Sequence, residues 1–475
     1  MMMIRRIVSA GFRNNMPLPM AGVFLLLMAG CATYHAKPLT PAAFQAKFQG
    51  RSLTARGLKK FITQQPLKVQ PGFPQVQNLS TLVAAAWYYS PALRVQLAQL
   101  GVDIANMITA SESPNPTVAL SPNYAAKAGP GINPWILGFN FNIPIETAGR
   151  REDRMMRAAA LTQAGRFNLG QIAWNVRQGV RESLINYVLA QKRVRLLRQN
   201  AATTALIQSL IRSRFQAGAI SRPVYTAAEI QAHQAVLALV AAHGLVRQRR
   251  IQLASVIALP VRALAGIRLS YGRLMKVPSV RILDMKRLRR AALLNRMDIQ
   301  SLLAQYQAAE AELQLQIARQ YPNIQLGPGY RFDQGANKFT LGFTMALPIF
   351  NQNQGAIAAA NAQRRVIAAE LERKQTMVIA RIREALSQYR SAVRQWRTAS
   401  AIAHQARLQL RATRRAFKAG AQSRLALAEA QLTLNTFAQA ALQSRFSAVR
   451  ALGNLEDVLE KPLGNTPAAP KGETP

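Results

Sequence analysis

The chain has 475 residues, and its 61 basic against 20 acidic side chains give a formal net charge of +41. Hydrophobic residues make up 49%, enough to bury a large core, and a single cysteine excludes an intrachain disulfide. Such a charge usually points to nucleic acid or an anionic surface, but the arginines are spread along helical stretches with no basic tail and no nucleic-acid motif, so nucleic acid is not an expected partner.

In chain order, Arg5, Arg6 and Arg13 precede an apolar stretch from Leu18 to Gly30 that ends Leu27-Met28-Ala29-Gly30-Cys31. The stretch is too short to span a bilayer and reads as a signal peptide over residues 1–30. Small residues before a cysteine resemble a lipoprotein signal, with Cys31 lipidated after cleavage. The alternative is an ordinary secretory signal, and on both readings the chain leaves the cytoplasm. No later run of 18 apolar residues occurs, so no transmembrane helix is expected, and a pump or permease is excluded.

Residues 31–77 contain Pro and Gly and read as an irregular segment. A first unit, 78–259, follows. It has a helix near 80–112, strands near 116–124 and 135–145, and a long helix near 147–216. A tip at 214–222 and a returning helix near 221–258 complete it. In Trp135 to Ile145 the odd positions are all large and apolar, while the even ones include Gly138, Asn140 and Asn142: period-two alternation. Residues 260–284 read as a linker. A second unit, 285–461, has a helix near 287–319, strands near 322–332 and 338–349, a long helix near 354–418, a tip at 416–424 and a helix near 421–459. The Pro/Gly-rich tail, 462–475, reads as disordered.

The second unit restates the first. Leu137-Gly138-Phe139 through Pro144-Ile145 matches Leu341-Gly342-Phe343 through Pro348-Ile349. Arg214-Phe215-Gln216-Ala217-Gly218-Ala219-Ile220-Ser221-Arg222 matches Ala416-Phe417-Lys418-Ala419-Gly420-Ala421-Gln422-Ser423-Arg424. The long helices would each be on the order of 100 Å. Their alanine content suits close, coiled-coil-like packing. Strands of about 9–11 residues match the length that crosses a bilayer when tilted. A membrane sheet must close, and about eight strands are the practical minimum, so four per chain require oligomerisation.

The layout and the repeated blocks resemble the outer-membrane efflux protein family, the TolC-like outer membrane factors. The resemblance covers roughly residues 78–460. It implies a mainly α chain with a membrane β-barrel part, assembled as a homotrimer with a twelve-stranded β-barrel and a long α-helical barrel. It also implies an outer-membrane, lipid-anchored location in a Gram-negative bacterium, extending into the periplasm. The partners it implies are a periplasmic adaptor and an inner-membrane pump of the RND or ABC type, served by a passive duct for efflux or type I secretion. On that resemblance the tips carry adaptor docking through Phe215, Gly218, Ala219, Ser221 and Arg222, and through Phe417, Gly420, Ala421, Ser423 and Arg424.

Arg212, Arg214, Arg411, Arg414, Arg415 and Lys418 approach the tips with no aspartate nearby and suggest a basic entrance for anionic or neutral cargo. Trp135, Phe139, Phe141, Phe339 and Phe343 are the expected lipid-facing residues. The competing reading is a lipid-anchored coiled-coil adaptor in the periplasm, which would lack alternating strands of bilayer length. His35, His233, His243 and His404 form no ligand-spaced pair, so no metal site or cofactor is expected. No nucleophile elbow, phosphate loop or Ser/His/Asp arrangement is present, and an enzyme is not expected.

Overall fold

The computed structural model describes residues 34–64, 75–127, 129–272, 274–280 and 283–463. Cys31, the signal segment and residues 464–475 lie outside them. The chain divides into two compact units, Met1–Gly50 and Arg51–Pro475. In the first, α1 (Pro41–Gln49) starts at Thr40, whose side chain caps the Ala43 N–H, with Pro at the first turn.

The second unit begins with α2 (Arg56–Gln64), which buries Leu58 and Ile62, and the short strand β1 (Val76–Gln77). The segment expected to be irregular thus holds two helices. Each is only nine residues long; the first has no buried face, while the second sets Leu58 and Ile62 four residues apart on one buried side. The linker likewise contributes structure. Its β4 (Arg268–Leu269) pairs in parallel with β1, Val76 opposite Arg268, after a 3₁₀ turn at Val261–Leu264.

Each helix expected before a strand pair is broken into two. The first runs as α3 (Leu79–Tyr89) and α4 (Pro91–Ser111), the second as α7 (Met285–Asn295) and α8 (Met297–Ala318). At the first break Pro91 cannot donate a helical hydrogen bond, and Ser90 Oγ accepts from the Leu93 N–H at 3.3 Å. At the second there is no proline. Arg296 takes extended geometry (φ −67°, ψ 130°), and its side chain is fixed by Asp298, by Glu460 and by the Val458 carbonyl.

Strands β2 (Thr117–Tyr124) and β3 (Trp135–Ile145) lead into the long helix α5 (Arg150–Gln216) and its return α6 (Arg222–Ile257). Strands β5 (Ile324–Asp333) and β6 (Ala336–Met345) lead into α9 (Gln354–Lys418) and its return α10 (Arg424–Leu459). At 67 and 65 residues, the long helices each reach about 100 Å. The four longer strands form one antiparallel sheet in the order β2-β3-β5-β6. The second pair ends earlier than expected, at Met345, because Pro348 and the Ile349–Leu347 backbone turn follow.

α5 packs against α3, α4, α6, α8 and α10, and α9 against α7, α8 and α10. The large side chains gather in two clusters. One joins Leu58, Leu82, Leu184, Ile185, Ile257 and Phe446; the other joins Leu288, Ile382, Leu386, Tyr389, Leu452 and Leu455. Through the second cluster and beyond it, buried small and apolar residues are spaced by sevens. Ala228, Ala235 and Ala242 are buried on α6, and Ile382, Tyr389, Ala403 and Leu410 on α9. That is the heptad seam of helices supercoiled around each other.

A glycine is needed where α10 crosses α5. A Cβ on Gly453 would sit 1.8 Å from Arg181 Nη1, whose guanidinium also donates to the Val449 carbonyl at 3.2 Å and pairs with Glu456 at 3.3 Å.

Candidate functional site

Two features of the fold are exposed in the protomer: the hairpin tips and the sheet. Each tip is built by the same hydrogen bonds. In the first, the Ala219 N–H reaches back to the Arg214 carbonyl at 2.9 Å, with Gly218 left-handed at φ +71°. In the second, the Ala421 N–H reaches the Ala416 carbonyl at 2.9 Å, with Gly420 at φ +74°. This is the glycine-ended helix stop that satisfies terminal carbonyls. Ser221 and Ser423 then cap the returning helices, but only Ser423 closes a side-chain hydrogen bond, to the Ala426 N–H at 3.1 Å. Pro223, at the second position of α6, supplies no N–H there.

The two tip phenylalanines differ in environment. Phe215 stacks on Tyr225, with centroids 5.2 Å apart and planes 6° apart, and Arg222 lies over it at 5.9 Å. Tyr225 OH in turn donates to Glu229 at 2.6 Å, which holds its phenol above the ordinary value. Phe417 has no such stack and stays 37% exposed. Sequence reading alone treated the two as equivalent anchors. The distinguishing signal was the aromatic at 225 against Leu427 in the matching place. Arg222 and Arg424 are exposed at the starts of the returning helices, and Ala219 and Ala421 are exposed at the turns.

Arg212, Arg214, Arg411, Arg414, Arg415 and Lys418 are all exposed. None of them makes an ion pair among the described residues. The second group clusters: Leu408, Gln409, Arg411, Ala412, Arg414, Arg415 and Lys418 line a shallow open depression on α9. The structure gathers this basic group on one stretch of α9, next to the second tip.

On the sheet, register puts the apolar residues of all four strands on one side. Val118 pairs with Phe141, Leu120 with Phe139 and Tyr124 with Trp135. Phe139 also pairs with Tyr330, Tyr330 with Phe339, and Leu326 with both Ile143 and Phe343. Directly paired residues share a face, so these side chains make one continuous patch. It is exposed on β2, β3 and β6, where Phe339 is 83% and Phe343 71% accessible, and half-buried at Leu326 and Tyr330 on β5. The opposite face carries Gly138, Asn140, Asn142, Gln325, Gly327, Thr340 and Thr344, with Asn142 Nδ2 donating to Gln325 Oε1 at 3.1 Å. Its charged residues are Arg331, Asp333 and Lys338, and Lys338 pairs with Asp333 at 2.7 Å.

Acidic residues concentrate instead where α5, α8, α9 and α10 meet. Arg296 pairs with Asp298 at 2.7 Å and Glu460 at 3.0 Å, and Lys374 reaches Asp298 at 2.9 Å. Burial pushes the Asp298 carboxyl up, but its hydrogen bonds from Arg296 and Lys374 prevail and hold it below the usual range. Burial raises Glu460 and lowers the Arg177 guanidinium to about 10. The Arg296 group ties the break between α7 and α8 to the end of α10, and the buried Arg181–Glu456 pair at 3.3 Å joins the two halves of the chain.

A tip-and-strand layout of this kind has known counterparts. The profile of the outer membrane efflux protein family matches residues 83–259 and 288–459, well over half of the chain. The chain belongs to that family. The cobalt-zinc-cadmium resistance protein CzcC of Cupriavidus metallidurans is 27% identical over 221 residues, 46% of this chain and 51% of that protein. The chain thus spans about half the length of this curated relative. Among solved structures, a membrane protein from Pseudomonas aeruginosa superposes with a TM-score of 0.64 at 19% identity, covering 80% of this chain and 93% of that one. The open state of the Neisseria gonorrhoeae MtrE outer membrane channel gives 0.63 at 18%, covering 82% and 90%. At those identities the likeness is one of fold.

Proposed function

We propose that this member of the outer membrane efflux protein family is a passive trimeric duct, the outer-membrane component of a tripartite efflux or type I secretion system. The observation that carries the reading is the sheet: four antiparallel strands with one continuous apolar face, a small polar face, and unpaired edges on β2 and β6. In lipid those edges must be paired. Three copies, with β6 of one chain joined to β2 of the next, give a closed barrel of twelve strands, and a lumen remains because the lumen-side residues are small.

On this reading Trp135, Phe139, Phe141, Phe339 and Phe343 face lipid, and Tyr124 packs edge-on against Trp135 at the loop end, as an aromatic belt requires. The hairpins formed by α5–α6 and α9–α10 hang into the periplasm. Their tips, at Gly218 and Gly420, meet a periplasmic adaptor that links the duct to an inner-membrane pump. Small, exposed residues at the tips support this by permitting close approach of a second helical hairpin. Lipid attached to Cys31 would anchor the chain to the outer membrane. A periplasmic adaptor is disfavoured by the strands themselves.

Purified full-length protein added to a planar lipid bilayer is expected to give discrete, long-lived conductance steps. A protein that folds, fractionates with detergent and yet never conducts would overturn the reading.

A further inference from the structure

We infer that the duct is anion-selective, and that a ladder of basic residues on α9 sets the preference. The inference rests on the channel reading above and deepens it by naming the class of cargo the conduit favours.

The ladder is a matter of spacing. Arg383, Arg390, Arg397, His404, Arg411 and Lys418 recur every seven residues through six successive heptads, and all six are exposed. They run to the second tip over about 52 Å, in steps of about 10.5 Å. Heptad spacing keeps them in one straight line on a supercoiled helix. Arg394 and Arg415 lie on the adjoining heptad position and thicken the line. The ladder is displaced from the buried seam of Ile382, Tyr389, Ala403 and Leu410 by one position in the heptad, so it does not belong to the packing of the protomer. Among the described residues none of the six makes an ion pair.

Along the five rungs from Arg390 to Lys418, a second copy of the chain has little to neutralise it with. Residues 183–255, on α5 and α6, carry ten Lys or Arg and one carboxylate, Glu229. Residues 385–455, on α9 and α10, carry eleven and one, Glu429. A seam between protomers that buried the ladder would leave charges without partners at a cost of several kcal/mol each. The ladder therefore faces water. An ordinary solvated helix face mixes both signs; this one does not.

The same inventory fixes the sign of the tip-side half of the lumen. Whichever helix faces line the tip-side half of a trimeric tunnel, the only carboxylates able to reach it are Glu229 and Glu429. At the barrel end the strands carry three charged residues, Arg331, Asp333 and Lys338. All three lie on the polar face, and Arg331 is paired directly with Lys338. Like charges placed opposite each other destabilise a sheet, and Asp333 offsets one of them. Positive charge thus borders the path at both ends. A low-dielectric entrance lined by one sign concentrates counter-ions and excludes co-ions there. The chemistry selected is an anion, or a cation carried as a net-anionic complex, and a free divalent cation is disfavoured.

The test is the reversal potential of single channels of the full-length protein in a planar bilayer under a KCl gradient. The wild type should reverse on the chloride side, with chloride more permeant than potassium. The variant Arg390→Glu/Arg397→Glu/Arg411→Glu should lower that permeability ratio severalfold, and the milder Arg→Gln triple should lower it less. Retention of the trimer and of helical circular dichroism shows that the variants fold. Cation preference in the wild type would overturn the inference while leaving the channel reading intact. Chloride preference unchanged in both triples would overturn the assignment to the ladder. Absence of any conductance would refute the channel reading, and the inference with it.

Discussion

Arg296 shows how one side chain ties a helix break to the end of a distant helix. It sits at the break between α7 and α8, is 9% exposed, and spans Asp298 beside it and Glu460 at the far end of α10. Removing one member of such a buried group strands the others. Arg296→Ala is therefore expected to cost about 3 kcal/mol or more, visible as a lower unfolding midpoint in detergent. The pH dependence follows from Asp298, whose carboxyl is held below its ordinary value by Arg296 and Lys374 against the effect of burial. A depressed carboxylate stabilises the fold fully above its unfolded value of about 3.9, and that contribution disappears as pH falls through the folded value. Thermal melts of the wild type should lose stability on that acid limb, and Asp298→Asn should flatten it. An identical acid limb in the variant would remove Asp298 from the explanation.

At the scale of elements, the tips and strands make separate predictions. Gly420 has open space where a Cβ would go, so Gly420→Ala suffers only the left-handed backbone, φ +74°. The expected loss is about 1–2 kcal/mol, measured as faster hydrogen exchange at the ends of α9 and α10, with the rest of the chain unchanged. On the sheet, neighbours in sequence point to opposite faces. Phe343→Arg should impair outer-membrane insertion by about 2–4 kcal/mol if it lies near mid-bilayer, whereas Thr344→Arg should insert normally. Equal behaviour of the two in outer-membrane fractions would remove the lipid-facing assignment.

Much of this was readable in advance for a physical reason. Long heptad helices and period-two strands leave strong periodic signals, and Trp135–Ile145 and Gln354–Lys418 match the expected spans. What escaped was set by tertiary contact. The break at Arg296 has no proline to mark it; Pro91 marks the one at Ser90, yet the expected helix near 80–112 ran through it. The helix at Pro41–Gln49 shows almost no period, whereas Arg56–Gln64 does carry one in Leu58, Phe61 and Ile62, which the surrounding Pro and Gly residues masked. The unequal settings of Phe215 and Phe417 depend on Tyr225, ten residues further on.

For the whole molecule, the protomer leaves unmet requirements that only assembly fulfils. Among the described residues a wide apolar face is exposed and two strand edges are unpaired, and the sequence sets 61 basic side chains against 20 carboxylates. Closure of the sheet with two further copies covers the edges, lipid covers the apolar face, and a water-filled path accommodates the charge. The central claim is that closure joins β6 of one chain to β2 of the next. Single cysteines introduced in pairs along the two edge strands, for example Ala119→Cys with Thr340→Cys and neighbouring registers, test it by oxidation in isolated outer membranes. The account predicts that at least one register gives a ladder of covalent dimers and trimers, reversed by reductant, in the outer-membrane fraction. A protein that stays monomeric in every register, or that is recovered as a stable soluble monomer, would contradict it.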